Sequence, residues 1–356
     1  MKGVGLVFLA IGSGVSCETG RASVFAGLDE SLDSLAAEHG VPGYAFAAFD
    51  AQGILHERVA GYKSQDTKEA VDAETAFEAA SISKPVFAYI VLTMVQAGTM
   101  DLDAPIGTAA PVVTELGHDE RSTVLTPRML LAHLGGLPNW RSRLNFQATN
   151  YEELFRADDT LQFIGNPGSA YAYSGEGYVL LQQVVERAAQ RGLNALAEEM
   201  VFKPLGMTRS SFLFDESVRT NASSGHDRDR RPDKWEIELV LASSTMHTTA
   251  GDLARFGVHL ASGIRRHEYY APLAEPAVTV DSTAGTIVSW GLGLGVVTDE
   301  DGTYMYHGGN NVIFIADFIY GFEEDLGYAL LTNSANGRSM VEAVEKRFFG
   351  KDIVRP

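Results

Sequence analysis

Apolar and polar positions along the chain change their period several times, and each change marks an element. Leu28, Leu32, Leu35 and Ala36 recur at helical spacing through Asp29 to His39, and Gly40 with Pro42 just beyond ends the run, so an amphipathic helix opens the fold. Tyr44 to Phe49 is aromatic and apolar, Asp50 to Gly53 is a turn, and Ile54 to Tyr62 resumes, which together predict a β-hairpin. From about Phe77 to Thr249 helix and loop patterns dominate, punctuated at Gly135-Gly136-Leu137-Pro138 and Asn166-Pro167-Gly168. Strand patterns return at Trp290 to Val297, Thr303 to Tyr306, Val312 to Tyr320 and Gly327 to Thr332, and Ser339 to Phe349 reads as a closing helix. Strands at both ends around a helical middle predict an α+β fold with one antiparallel sheet flanked by terminal helices. The sheet part takes about residues 25–95 and 246–350, and an inserted α-rich subdomain takes about 96–245.

The segment Ala79-Ala80-Ser81-Ile82-Ser83-Lys84-Pro85 runs into Val86 to Gln96 and stops at Gly98. That helix is apolar on every side, which places it in the core, and Lys84 is the only charged residue between Glu78 and Asp101. Ser81 and Lys84 fall on one face at the helix start. Burial disfavours an ammonium, so Lys84 is expected to be a neutral amine able to take the Ser81 proton. The positive end of the helix dipole favours both the deprotonated amine and the alkoxide. The competing reading is a serine cap followed by a lysine that snorkels to solvent.

Two further segments bear on that choice. Pro167 to Leu181 places Tyr173-Ser174-Gly175 in a turn before an apolar helix, and His307-Gly308-Gly309-Asn310 lies on a late strand where glycines let a substrate approach the backbone. With these the sequence resembles the serine β-lactamase and penicillin-binding-protein superfamily, on the side of class C β-lactamases, D-amino-acid peptidases and related esterases. Their motif order is S-x-x-K, then Y-x-N, then K/H-x-G. Leu125 to Pro138, Pro204 to Met207, Thr248 to Phe256 and Leu331 to Ser334 match as well, so the resemblance covers about residues 25–350.

The resemblance implies a β-lactamase/DD-peptidase-like fold and a serine acyl hydrolase that forms an acyl-enzyme at Ser81 with esters, D-amino-acid peptides or β-lactams. Lys84 is then the proton acceptor or electrostatic activator, and Tyr173 the second acid/base. The N–H groups of Ser81 and Asn310, the latter just past His307-x-Gly309, make the oxyanion hole. His307 stands in the place of the family's Lys or His, where it holds Tyr173 in register and contacts a substrate carboxylate. Its charge depends on its surroundings, because histidine titrates near neutrality. Gly175 stands where the family has Asn, and so lacks the amide that binds a substrate carbonyl and braces the lysine. Glu176 beside it reads as a solvated loop carboxylate, and His133 and His247 read as structural. The alternative is a catalytically weak surface protein that binds cell-wall peptide or another ligand in the same cleft.

Composition narrows the partners. The 356 residues, 45% hydrophobic, suffice for one large domain or two intimately joined ones. A net charge of −18, from 46 acidic against 28 basic residues, makes most of the surface repel phosphate backbones, so nucleic acid is not an expected partner. The expected partner is a small-molecule or peptide substrate. None of the nine His has zinc-protease spacing, and Gly291-Leu292-Gly293-Leu294-Gly295 reads as a glycine-rich strand rather than a dinucleotide loop. No G-x-S-x-G elbow follows a strand. Neither metal nor cofactor is expected.

At the N-terminus Lys2, the apolar stretch Val4 to Ile11 and the small residues Ser13 to Ser16 precede Cys17, the only cysteine. Residues 1–17 read as a targeting segment. They resemble a bacterial lipoprotein signal with Cys17 as the lipidated residue, although Gly14 stands where such signals usually carry Leu. The expectation is export to the periplasm or cell envelope with a lipid anchor at Cys17. A plain secretory signal with Cys17 incidental, and a buried N-terminal strand, are the alternatives.

Overall fold

The computed structural model describes residues 24–106, 116, 119–141, 151–154, 160–229, 232–233, 239–283 and 285–355. The targeting segment and Cys17 lie outside the described residues.

The opening helix α1 (Leu28–His39) ends on Gly40, whose left-handed backbone (φ 69°) turns its N–H back onto the Ala36 and Ala37 carbonyls. The predicted hairpin follows as β1 (Gly43–Phe49) and β2 (Ile54–Gly61). A single 3₁₀ turn (Ala80–Ile82) leads into α2 (Ser83–Gln96), followed by α3 (Gly175–Ala189) and α4 (Ala250–Arg265). The chain then returns to strands, β3 (Val278–Thr283), β4 (Thr286–Trp290), β5 (Gly295–Thr298), β6 (Thr303–Asn310), β7 (Ile315–Gly321) and β8 (Leu326–Thr332), and closes with α5 (Gly337–Phe349).

These eight strands form one sheet of order β2-β1-β8-β7-β6-β5-β4-β3. Every neighbouring pair is antiparallel, and the early strand β1 docks on the last strand β8, Tyr44 opposite Thr332. Both faces of the sheet are covered. Tyr44, Phe46 and Ala48 of β1 share a cluster with Leu28 and Leu32 of α1 and with Met340, Val344 and Phe348 of α5. Ala45, Ala47 and Phe49 face the other way, into a cluster with Phe256 and Leu260 of α4. All seven β1 residues are therefore buried, which is why that stretch reads as a continuous apolar run instead of alternating. Helix α2 belongs to the same inner cluster, as its all-round apolar surface requires, and Gly98 (φ 71°) follows its end.

Three strand expectations change. The run Trp290 to Val297 is two strands, because the Gly291 N–H bonds to the Leu294 carbonyl at 2.8 Å and folds the glycine-rich stretch into a turn. The strand expected from Val312 begins at Ile315, since the Asn311 N–H reaches the Phe314 carbonyl at 3.0 Å and closes the β6–β7 hairpin first. Strand β3 went unpredicted: it is an edge strand of sequence Val-Thr-Val-Asp-Ser-Thr with no buried residue, so it carries no core signal. Between α2 and α4 the described residues hold helices and three two-residue strands. One of these, His247–Thr248, pairs with Phe77–Glu78 and brings the Ser81 turn against the start of α4.

Candidate active site

Three segments converge on one cavity of about 1210 Å³: the Ser81 turn, the turn before α3, and the free end of β6. Ser81 lies in the 3₁₀ turn behind Ala80, which holds a positive φ of 48° that a non-glycine residue rarely adopts. Ser81 caps no helix. Ile82 occupies the cap position of α2, and the local bonding is done by the Ser83 hydroxyl, which donates to the Ala80 carbonyl at 2.6 Å and accepts from the Met246 N–H at 3.0 Å. The Ser81 hydroxyl is left facing the cavity.

Lys84 does not snorkel, being 1% exposed. Its Nζ lies 3.1 Å from Ser81 Oγ, donates to the Ser243 carbonyl at 2.8 Å and sits 4.8 Å from the centre of the Tyr173 ring. Burial pulls its pKa down to about 7, so a large part of the population at neutral pH is free amine. Nothing in the sequence signalled the Ser243 carbonyl, which comes from a loop far along the chain.

Tyr173 is delivered by the N-terminus of α3. Ser174 caps that helix through its Oγ, accepting from the Gly177 N–H at 2.8 Å, while its own N–H donates to His133 Nδ1 at 3.0 Å. The fully buried His133 ring stacks 4.3 Å from the Tyr173 ring, so His133 braces the turn. Burial, with help from the neighbouring Lys84 ammonium, holds it well below its ordinary pKa and neutral. Burial likewise raises the Tyr173 phenol, a contact with Ser81 pulling weakly the other way, so Tyr173 keeps its proton at neutral pH. His247, paired in a short strand with Glu78 and outside the cavity lining, is also buried and bonded to the Thr245 carbonyl, with its pKa lowered to about 4 by burial.

Strand β6 runs past its neighbour. Its pairing with β5 ends at Tyr306, whereas its pairing with β7 continues to Asn310. The Phe322 N–H donates to the Thr303 carbonyl, so odd-numbered β6 residues bond towards β7 and even-numbered ones point away. Gly308 and Asn310 therefore present their N–H and C=O groups to the side where β5 has ended, which is the cavity side. Gly309 allows the close approach of this strand to the serine turn, because a Cβ there would stand 2.4 Å from the Ala79 carbonyl. The β6–β7 turn is tied to the same turn from the other side: Asn311 Nδ2 donates to Glu78 Oε2 at 2.7 Å and to the Ser244 carbonyl at 3.1 Å. Glu78 is buried, and burial raises its carboxyl to about 7 against the opposing Asn311 bond.

His307 departs from expectation. Burial, with the nearby Lys84 charge, lowers its pKa to about 3, so it is neutral at physiological pH. Its Nδ1 donates to the Gly308 carbonyl at 2.7 Å, which fixes the tautomer and leaves Nε2 as an acceptor buried without a partner. A neutral ring with an acceptor nitrogen offers a substrate carboxylate neither charge nor proton. Its ring is 6.3 Å from that of Tyr173, with Trp290 5.4 Å away on its other neighbour contact.

Glu176 also corrects its expectation. It is buried, accepts from the Arg141 N–H at 2.9 Å and pairs with the Arg141 guanidinium at 3.2 Å, so it is no solvated loop carboxylate. Burial of both partners at the start of α3 is a tertiary fact that the local loop composition hides. The space beside Gly175 is taken by Trp140, whose Cζ2 would stand 2.7 Å from a Cβ at that position. Trp140 comes two residues after the Gly-Gly-Leu-Pro turn, and that adjacency is the only signal the sequence held for it. Among the described residues no group of three or more His, Cys, Asp or Glu is placed to hold a metal ion.

A hydroxyl beside a buried amine, a protonated phenol over both, and free strand N–H groups opposite can carry acyl transfer. On a wide antiparallel sheet with both terminal helices on one face, they define a serine hydrolase of the β-lactamase and penicillin-binding-protein superfamily. Residues 28–348 match the family model described as Beta-lactamase, and the chain belongs to that family. It is 27% identical over 273 residues to Penicillin-binding protein 4 of Amycolatopsis lactamdurans, spanning 73% of this chain and 71% of that protein. It is 30% identical over 238 residues to Esterase EstB of Burkholderia gladioli, spanning 62% of this chain and 60% of that protein. A class C beta-lactamase structure shares the fold, with a TM-score of 0.73 at 15% identity over 97% of this chain and 99% of the other.

Proposed function

We propose that this chain forms an acyl-enzyme at Ser81 and hydrolyses esters in preference to β-lactams and to peptides that present a carboxylate. The observation that carries the reading is Lys84, buried, 3.1 Å from Ser81 Oγ and with its pKa pulled down to about 7. The free amine takes the Ser81 proton as Oγ bonds to the acyl carbon. The carbonyl oxygen then holds the negative charge between the Ser81 and Asn310 N–H groups. Collapse breaks the bond to the leaving group, which takes the Tyr173 proton, and Lys84 returns its proton to Tyr173. Water repeats the sequence on the acyl-enzyme, restoring Ser81 and releasing the acid.

Preference for esters follows from what surrounds that centre. A β-lactam is held by its amide and its carboxylate, and here an indole lies beside Gly175 and a neutral histidine at position 307. The largely buried arginine that lines the cavity, Arg355, is engaged already with Asp317 and Glu345. Each lost bond costs about 1 to 3 kcal/mol, or about one to two powers of ten in rate. A simple ester needs only the nucleophile and the oxyanion donors. EstB, similar over most of this fold, is named an esterase.

The test is a fluorophosphonate probe followed by mass spectrometry, with a p-nitrophenyl ester and nitrocefin assayed on the same batch. Labelling of the Ser81 peptide and a larger kcat/KM for the ester are expected. Faster nitrocefin turnover would make this a β-lactamase. An unlabelled Ser81 would leave ligand binding as the function of the cleft. We further propose that the chain is exported and held at the membrane by a lipid on Cys17; among the described residues no helix is long and apolar enough to cross a membrane.

A further inference from the structure

We propose that Trp140 sets substrate specificity, forming with Leu154 and Leu241 an apolar subsite for the acyl group of an ester. This rests on the acyl-enzyme reading above. The indole does more than fill a gap. A Cβ on Gly175 would stand 2.7 Å from Trp140 Cζ2, 2.9 Å from Cε2 and 3.1 Å from the Asn139 carbonyl, so the ring and position 175 compete for one space. The chain has settled that competition for the ring, and it has fixed the ring's backbone. Asn139 Oδ1 accepts from the Gly175 N–H at 3.0 Å, the Asn139 carbonyl accepts from the Glu176 N–H at 3.0 Å, and Glu176 Oε1 accepts from the Arg141 N–H at 2.9 Å.

Residues 139 to 141 are thereby stitched to the first turn of α3, which Tyr173 precedes by two residues. The Arg141 and Glu176 side chains close the stitch as an ion pair, 6% and 1% exposed. The indole packs against a small cluster of Leu154, Val179, Leu239 and Leu241 that is separate from the main core. Trp140, Leu154 and Leu241 line the same cavity as Ser81. A polar amide is thus replaced by a preorganised apolar wall within the cavity of the nucleophile.

The wall suits the acyl side of the ester. The leaving-group oxygen must meet the Tyr173 hydroxyl, whose ring is surrounded by His133, Trp290 and His307. The Trp140 wall remains for the part that stays on Ser81. An apolar acyl chain or an aromatic acyl group would bury itself there, while acetyl is too short to gain from it.

The experiment is an acyl series, acetate, butyrate, hexanoate and benzoate, on a constant p-nitrophenol leaving group, with the wild-type chain, Trp140→Ala, Trp140→Phe and Leu154→Ala. The readout is the ratio of kcat/KM for hexanoate or benzoate to that for acetate. The wild type should favour the larger acyl groups, and Trp140→Ala should lower the ratio about tenfold, the scale of a methylene or two in an apolar pocket. Leu154→Ala should lower it less, and Trp140→Phe should restore most of it. Gly175→Asn should destabilise the wild type and be tolerated in Trp140→Ala, as two groups sharing one space require. Fluorophosphonate labelling of Ser81 in each protein separates the two ideas. A labelled enzyme whose ratio is flat, or does not move with Trp140, overturns the subsite. A wild type that does not label overturns the acyl-enzyme reading itself.

Discussion

In its proposed role as the base, Lys84 serves the reaction at the expense of the fold. Its pKa of about 7 in the folded chain lies below its ordinary 10.5, so folding disfavours its protonated form. Below pH 7 both the folded and unfolded chains are protonated and the full cost is felt. Between about 7 and 10.5 the unfolded chain binds the extra proton, so this contribution to stability improves as pH rises. Lys84→Met is therefore expected to raise the melting temperature at pH 6 and to have a smaller effect at pH 10. The same variant should lose several orders of magnitude in kcat, since Ser81 and Lys84 act as a unit. For the wild type, kcat/KM on an ester should climb through an apparent pKa near 7, with no second limb from His307, which is neutral far below that range. A variant keeping about a tenth of wild-type kcat would sink the base assignment.

Among the elements, the decisive contact is between β6 and the serine turn. Strand β6 outruns β5 and leaves the N–H groups of Gly308 and Asn310 without a partner strand on that side, and Gly309 lets it lie against the Ala79 carbonyl. Gly309→Ala would force the strand away from Ser81, because the new Cβ would stand 2.4 Å from a backbone oxygen that the turn cannot easily move. Loss of an aligned oxyanion donor costs about a hundredfold or more in kcat. The expected outcome is a loss of that order with a smaller change in KM, read by steady-state kinetics. Gly308, whose Cβ would meet nothing, should accept Ala with little effect on folding. Equal losses at the two positions would show that strand placement is not the cause.

At the scale of the whole molecule, charge and anchoring pull in opposite directions. A net charge of −18 gives the chain no electrostatic affinity for an anionic membrane. On the proposed lipid anchor, membrane association comes from acyl chains on Cys17, whose hydrophobic attachment salt does not weaken. The full-length protein is expected to sediment with membranes in high salt, and Cys17→Ser to be released or left unprocessed. Recovery of the wild type wholly in the soluble periplasmic fraction would refute the anchor. The activity should be the same in the anchored and released forms, since the elements that carry Ser81, Lys84, Tyr173 and Asn310 lie among the described residues.

The sequence alone determined the elements that local physics dictates and the residues whose chemistry is rare. The apolar run Tyr44 to Phe49 with the turn after it read as one arm of a hairpin, as β1 is, and an all-round apolar helix had to be internal, as α2 is. The lone lysine on that helix was visible for the same reason, because a charge amid apolar neighbours stands out whatever the fold. Tertiary structure decided what depends on distant neighbours. The Ser243 carbonyl that holds Lys84, the burial that keeps His307 neutral, and the burial of Glu176 under Arg141 come from segments far apart in the chain. Sequence pattern assigned Glu176 to solvent because it reads only the loop around it. The resemblance marked Gly175 as a missing amide, and only packing showed that an indole from another loop had taken the space. Periodicity reports which way a side chain faces along its own element, whereas desolvation and close contact are set by whatever the fold brings against it.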